Sequence, residues 1–259
     1  MIKIIPLLLL ALSTSAFADE NKINWDGYYV SALLGRTAGN VDWNKGTSDW
    51  VMPVQATDYY LFPTATSSSS DGWSGSLRLG YNRAIEKNLI GVELGANFQD
   101  AGGNITPTSY QQTNATNIGT VSGFVTKITV QSYETLTVRL GRLLDEKTLA
   151  YISIGVAAGQ FKNKTSQSNA TGLIFGLPDG WWDAGVSSSD NKTELGYTLG
   201  IGAEHKFKDN WSIRANYELV NFGNINTTYR GSYGDATPAV YLKNSVYFNN
   251  LSVGLSYQF

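Results

Sequence analysis

Seven charged residues carry the chemistry that this chain can be expected to do: Arg78, Glu93, Arg139, Glu194, Glu204, Arg214 and Glu218. Arg78 stands between Leu77 and Leu79, Glu93 between Val92 and Leu94, and Arg139 between Val138 and Leu140. A charge held between apolar neighbours on alternating chain points away from them, into an interior. There it must find an opposite charge, because an isolated buried ion is expensive. The expected chemistry is therefore charge pairing that closes an interior. The second reading is a charged wall along a narrow path for ions or small solutes.

Catalytic chemistry finds little support. The chain has 1 His and 0 Cys. It shows no metal-ligand spacing, nucleophile elbow or phosphate loop. A lone His205 is a poor haem ligand without a second strong one. No catalytic, cofactor or metal residue is assigned, and no enzyme is expected. Net charge is −2 with no clustered basic face in the sequence, so nucleic acid is not an expected partner.

The elements that position the seven charges follow from period two. Leu251, Val253, Leu255, Tyr257 and Phe259 alternate with Asn250, Ser252, Gly254, Ser256 and Gln258. Such alternation reads as a strand with one apolar and one polar face. The pattern recurs around 28–36, 73–82, 89–98, 133–142, 150–160, 194–204 and 211–219. The polar face is built from Gly, Ser, Thr, Arg and Glu, too small and polar for an apolar core. The apolar face is then expected to meet lipid. In hydrocarbon an open sheet edge leaves backbone groups unpaired, so the sheet must close. An all-β, eight-stranded antiparallel transmembrane barrel is expected.

Connections alternate in length. Short ones lie at 83–88, 144–147 and 206–210, and long ones at 38–72, 99–131, 161–192 and 223–244. Brief periplasmic turns and long extracellular loops are the pattern of membrane barrels, which puts both termini in the periplasm. The long loops are rich in Ser, Thr, Asn and Gly. Trp181 and Trp182, following Pro178-Asp179-Gly180, are the candidate loop contact for a host or phage ligand. At the other end of the chain, Lys3, the apolar run Ile4–Leu12 and Ala16-Phe17-Ala18 predict a cleaved signal peptide at 1–18. The barrel domain is then 19–259.

The strands WDGYYVSALLG, LGYTLGIGAEHKF, NWSIRANYELVNFG and LSVGLSYQF resemble a known family. They are similar to the small outer-membrane barrels that include the OmpA transmembrane domain, the opacity proteins and the porin-family surface antigens of α-proteobacteria. The resemblance covers the strands and none of the loops. It departs at Asn216, where the family usually shows Glu, and near Glu218 and Leu219, where Arg or Tyr is usual. The resemblance implies an outer-membrane surface protein with a structural and interaction role. It implies contact with outer-membrane lipid and lipopolysaccharide, and Tyr257 and Phe259 as the assembly signal read by the outer-membrane assembly machinery. Barrel enzymes of this membrane use a His near the outer rim, whereas His205 falls beside a short turn.

Overall fold

Alternation in the sequence becomes a continuous ladder in the structure. The computed structural model describes residues 25–48, 67–105, 124–167, 187–230 and 239–259. Its strands are β1 (Gly27–Ser48), β2 (Ser67–Ile85), β3 (Asn88–Ile105), β4 (Phe124–Leu143), β5 (Thr148–Gln167), β6 (Ser187–Lys208), β7 (Trp211–Arg230) and β8 (Ala239–Gln258). Each pairs antiparallel with its chain neighbour, and β1 pairs with β8 to close the ring. The signal-peptide residues 1–18, and Trp181 and Trp182, lie outside the described residues.

The period-two sides fall where the sequence places them. Leu140, Ile152, Ile201, Tyr217 and Leu251 form one cross-strand row facing outward. Ile152 is 57% exposed and Leu251 60%, whereas Arg139 is 0% exposed. An outside this apolar suits hydrocarbon rather than water. Aromatic rings edge the band near the chain ends. Tyr28 lies 4.9 Å from Tyr81, and Trp211 lies 5.0 Å from Tyr257.

The strands run much further than the alternation does. β1 extends to Ser48 and β5 to Gln167, into stretches that read as loops in the sequence. A strand of about 20 residues at ~3.3 Å each, tilted ~40°, rises roughly 50 Å. The apolar band of a membrane barrel is only ~25 Å tall. Above that band nothing selects apolar outward residues, so the sequence pattern stops. Backbone pairing has no reason to stop, and the hairpins continue on Ser, Asn and Thr.

Three of the five register shifts among the described strands bear on the interior of the upper barrel. The β3–β4 register shifts between Phe98 and Ala101, the β4–β5 register between Val130 and Ser132, and the β7–β8 register between Asn221 and Asn224. An extra residue at a bulge flips the parity of everything beyond it. Gly223, with φ of 62°, takes the left-handed conformation at the β7 bulge, and its N–H donates to Asn221 Oδ1 at 2.7 Å. The bulge is why Phe222 and Ile225, three residues apart, are both buried.

Candidate functional site in the barrel lumen

The lumen face of the middle barrel holds six of the seven charges together. Glu93 on β3 is the centre. Arg214 on β7 grips it with both terminal nitrogens, Nη1 at 2.5 Å from Oε2 and Nη2 at 3.1 Å from Oε1. Arg78 on β2 donates to its Oε1 at 3.1 Å, and the Tyr29 hydroxyl donates to Oε2 at 2.5 Å. Arg139 Nη1 stands 3.6 Å from the same oxygen. The forked Arg–carboxylate geometry is the strong, directional form of the pair.

Two further carboxylates complete the set. Glu218 accepts from Arg78 at 3.2 Å and from the Tyr133 hydroxyl at 3.2 Å. Glu204 accepts from Arg139 Nη2 at 3.2 Å and from Ser212 Oγ at 2.5 Å. Arg78, Arg139 and Arg214 thus face Glu93, Glu204 and Glu218, and the formal charges cancel. Glu194 stands apart. It is half-buried on the same face, and among the described residues it enters no ion pair.

Glycines make room for the rings that hold the arginines. Gly80 is the cross-strand partner of Tyr29, and Gly202 of Tyr151. A Cβ at either glycine would overlap the tyrosine ring. With that space, the Tyr151 ring lies 4.0 Å from Arg139 Cζ and 5.1 Å from Arg214 Cζ. The Tyr151 hydroxyl accepts from Arg214 Nε at 2.7 Å, and the Tyr29 hydroxyl from Arg139 Nη1 at 2.6 Å. Tyr29, Tyr133 and Tyr151 belong to the site and were not among the residues assigned from sequence. Their signal was present: an aromatic on the polar parity, opposite a glycine on the next strand.

The interior face corrects one expectation. It is polar only in the middle. Above the charges, Ile128, Phe161, Phe222, Ile225 and Phe248 are buried in one apolar cluster. Phe161 meets Phe222 edge-on at 4.9 Å, and Tyr133 meets Phe248 at 5.2 Å. Tyr133 joins the layers, with its ring among the phenylalanines and its hydroxyl on Glu218. Below the charges, Trp25, Leu89, Leu149 and Tyr151 form a second cluster. Trp25 Nε1 donates to the Glu146 carbonyl at 3.1 Å, and Lys206 Nζ stands 4.7 Å from its ring. Most of these apolar residues escape a sequence reading for two reasons. Ile128, Phe222, Ile225, Phe248 and Trp25 lie beyond the alternating segments, and bulges reset the parity of several.

The other assigned residues sit at the rim near the chain ends. Phe259 is 44% exposed, and its ring packs edge-on against Tyr257 at 5.2 Å. Its N–H donates to the Tyr28 carbonyl at 2.9 Å. His205 is exposed, with Nδ1 3.0 Å from Thr148 Oγ1 at the same rim. Among the described residues, no group of His, Cys, Asp and Glu could hold a metal ion.

A closed antiparallel ring with an apolar outer band and an ionic, packed interior defines an integral membrane β-barrel. The chain belongs to the outer membrane protein beta-barrel domain family, which it matches over residues 4–259. It is 26% identical over 248 residues to the 31 kDa outer-membrane immunogenic protein of Brucella melitensis, covering 95% of this chain and 89% of that protein. It is 22% identical to the 25 kDa outer-membrane immunogenic protein of Brucella abortus, over 99% of this chain and 96% of that one. Among solved structures, Neisserial surface protein A aligns at 14% identity and a TM-score of 0.39, covering 90% of this chain and 97% of that chain. The outer membrane protease OmpT of Escherichia coli aligns at 9% identity and a TM-score of 0.48, covering 90% of this chain and 97% of that one. The protein is an outer-membrane β-barrel.

Proposed function

We propose that this barrel is a non-enzymatic surface protein whose lumen is closed and whose role is structural and interactive. Both termini face the periplasm, and the long connections are displayed outside, where they contact a host or phage ligand. Trp181 and Trp182 are the candidate contact residues. Half-buried Tyr257 and exposed Phe259, at the end of β8, are the handle for the assembly machinery.

The observation that carries the reading is the filling of the lumen at three successive levels. An eight-stranded barrel is just wide enough for side chains to fill it. Here an apolar layer, an electroneutral ionic layer and a second apolar layer stack along the axis. The relatives described as outer-membrane immunogenic proteins fit display at the surface.

Purified protein in a planar bilayer is expected to give no steady large conductance. A stable large conductance would favour a narrow porin instead. Orientation is read separately. A Cys placed at Asn210, in the turn between β6 and β7, should stay unlabelled by an impermeant reagent on intact cells. Labelling there would invert the topology.

A further inference from the structure

The ring closes at the level of the apolar band, but two of its ladders end near the top of that band. β2 pairs with β3 only as far as Ser74 and Gln99, and β6 with β7 only as far as Tyr197 and Asn221. The other ladders continue toward the strand ends. The upper barrel is therefore two four-stranded sheets, β7-β8-β1-β2 and β3-β4-β5-β6, with a gap between them on either side.

Side-chain parity explains why β6 and β7 part. Continuing their register would set Glu194 opposite Asn224 and Thr193 opposite Ile225. Glu194 is on the inner face, level with Gly159, and Ile225 is buried, whereas Thr193 and Asn224 are exposed. The bulge at Gly223 has reversed the faces of β7, while β6 keeps its register with β5. Directly opposed residues must share a face, so this ladder cannot run on. In the same register Lys192 would oppose Asn226, and there a side chain stands in for the ladder: Lys192 Nζ donates to the Asn226 carbonyl at 3.3 Å.

The β6 edge from Gly196 to Ser187 thus has no strand partner on its β7 side among the described residues. On β6, Leu195 is the last apolar outward residue, and exposed Thr193 and Asn191 follow it toward water. A free edge is a template for another extended chain. Strand addition draws affinity from the main chain and specificity from alternate side chains. The β2–β3 gap offers less: the cavity between Ser70 on β2 and Gln99 on β3 is about 20 Å³, room for about one water. The β6 edge also carries a charge that asks for a partner. Glu194 is half-buried there and enters no ion pair among the described residues, while Lys192 is engaged with Asn226.

We propose that the free edge of β6 above Tyr197 docks an extended peptide segment of a partner protein, which adds as a strand and sets a basic side chain against Glu194. This deepens the surface-interaction reading given above and takes from it only the orientation.

The test uses the full barrel in detergent micelles, where both ends are accessible and orientation drops out. The probe is a fluorescein-labelled peptide, STVTKTVTS, whose valines and lysine share one face, and binding is read by fluorescence anisotropy. Wild type is expected to bind it. A twin with methylated backbone amides keeps the side chains but loses the ladder donors, and should bind at least about tenfold more weakly. Glu194→Gln should weaken the lysine peptide roughly two- to fivefold and leave a twin with glutamate in place of lysine no weaker. Deleting Gly223 restores the parity of β7 and lets the β6–β7 ladder run on, so binding should fall at least about tenfold. Heat-modifiable migration checks folding. Should the deletion variant not fold, the methylated twin and Glu194→Gln decide. Equal binding of the peptide and its methylated twin overturns strand addition, as does no binding by wild type. Undiminished binding by a folded Gly223 deletion overturns the site. Binding together with external labelling at Asn210→Cys would keep the strand site and overturn the orientation instead.

Discussion

Replacing Glu93 by Gln is expected to lower the barrel's resistance to unfolding by about 3–5 kcal/mol, the cost of leaving a buried charge without its partner. The shape of the side chain is nearly kept, so the effect is electrostatic. Glu93 accepts from Arg78, Arg214 and Tyr29, and Arg139 stands 3.6 Å away. Without its charge, three guanidinium groups share Glu204 and Glu218. One buried positive charge is then uncompensated, in a layer closed by apolar residues above and below. In a urea titration of the reconstituted barrel, the midpoint should fall by roughly 1–5 M, given a slope of ~1–3 kcal/mol per M. Removing a cation as well should recover part of the loss. Glu93→Gln with Arg214→Gln restores the balance and is expected to be more stable than Glu93→Gln alone, although Tyr151 loses a donor. A double variant no better than the single one would mean that the layer is not held by charge balance.

The reach of sequence reasoning follows from what each part of the chain is selected against. The lipid-facing rows were legible because hydrocarbon penalises every polar outward residue. Leu251 to Phe259 and Leu195 to Ala203 therefore alternate without interruption. The six joined charges were legible from their parity alone, since Arg78, Glu93, Arg139, Glu204, Arg214 and Glu218 share the inner face. Which charge meets which was not legible. Glu93 and Arg214 are 121 positions apart and sit on strands that do not pair. Their meeting depends on the narrow bore rather than on the ladder. Glu194 has the right parity and lies outside the network, because it stands level with Gly159, nearer the rim.

The turns and strand ends show the same contrast. The connection read at 144–147 is the one found. The connection read at 83–88 tightens to Glu86 and Lys87, with Glu86 at a φ of 55°. A paired residue and a turn residue carry similar side chains at a barrel rim. The stretches beyond the membrane were read as loops for a related reason. Alternation reports lipid contact, and backbone hydrogen bonding outlasts it. Ile225 shows the limit most directly. A single extra residue near Gly223 exchanges inside for outside, and one glycine among 27 gives no warning of it.

Phe222→Ala is expected to cost about 3–5 kcal/mol, as for other buried phenylalanines truncated to alanine. Phe222 is 4% exposed, and its ring touches Phe161 at 4.9 Å and Phe248 at 5.8 Å. Truncation leaves a gap in the upper apolar layer that stiff strands cannot fully close. The consequence for conduction separates two pictures of the lumen. If closure resides in the apolar layer alone, the variant should open a path. If the layers act in series, the ionic layer below still blocks it, because the narrowest point limits a channel. The stacking favours series closure: Phe222→Ala should lose stability and stay silent in a planar bilayer. Phe222→Ala combined with Arg139→Leu breaches two layers, and brief openings are then expected. Arg139→Leu alone should be destabilised and silent as well. Steady conductance from Phe222→Ala alone would show that the ionic layer is no barrier, and would place the seal among the phenylalanines.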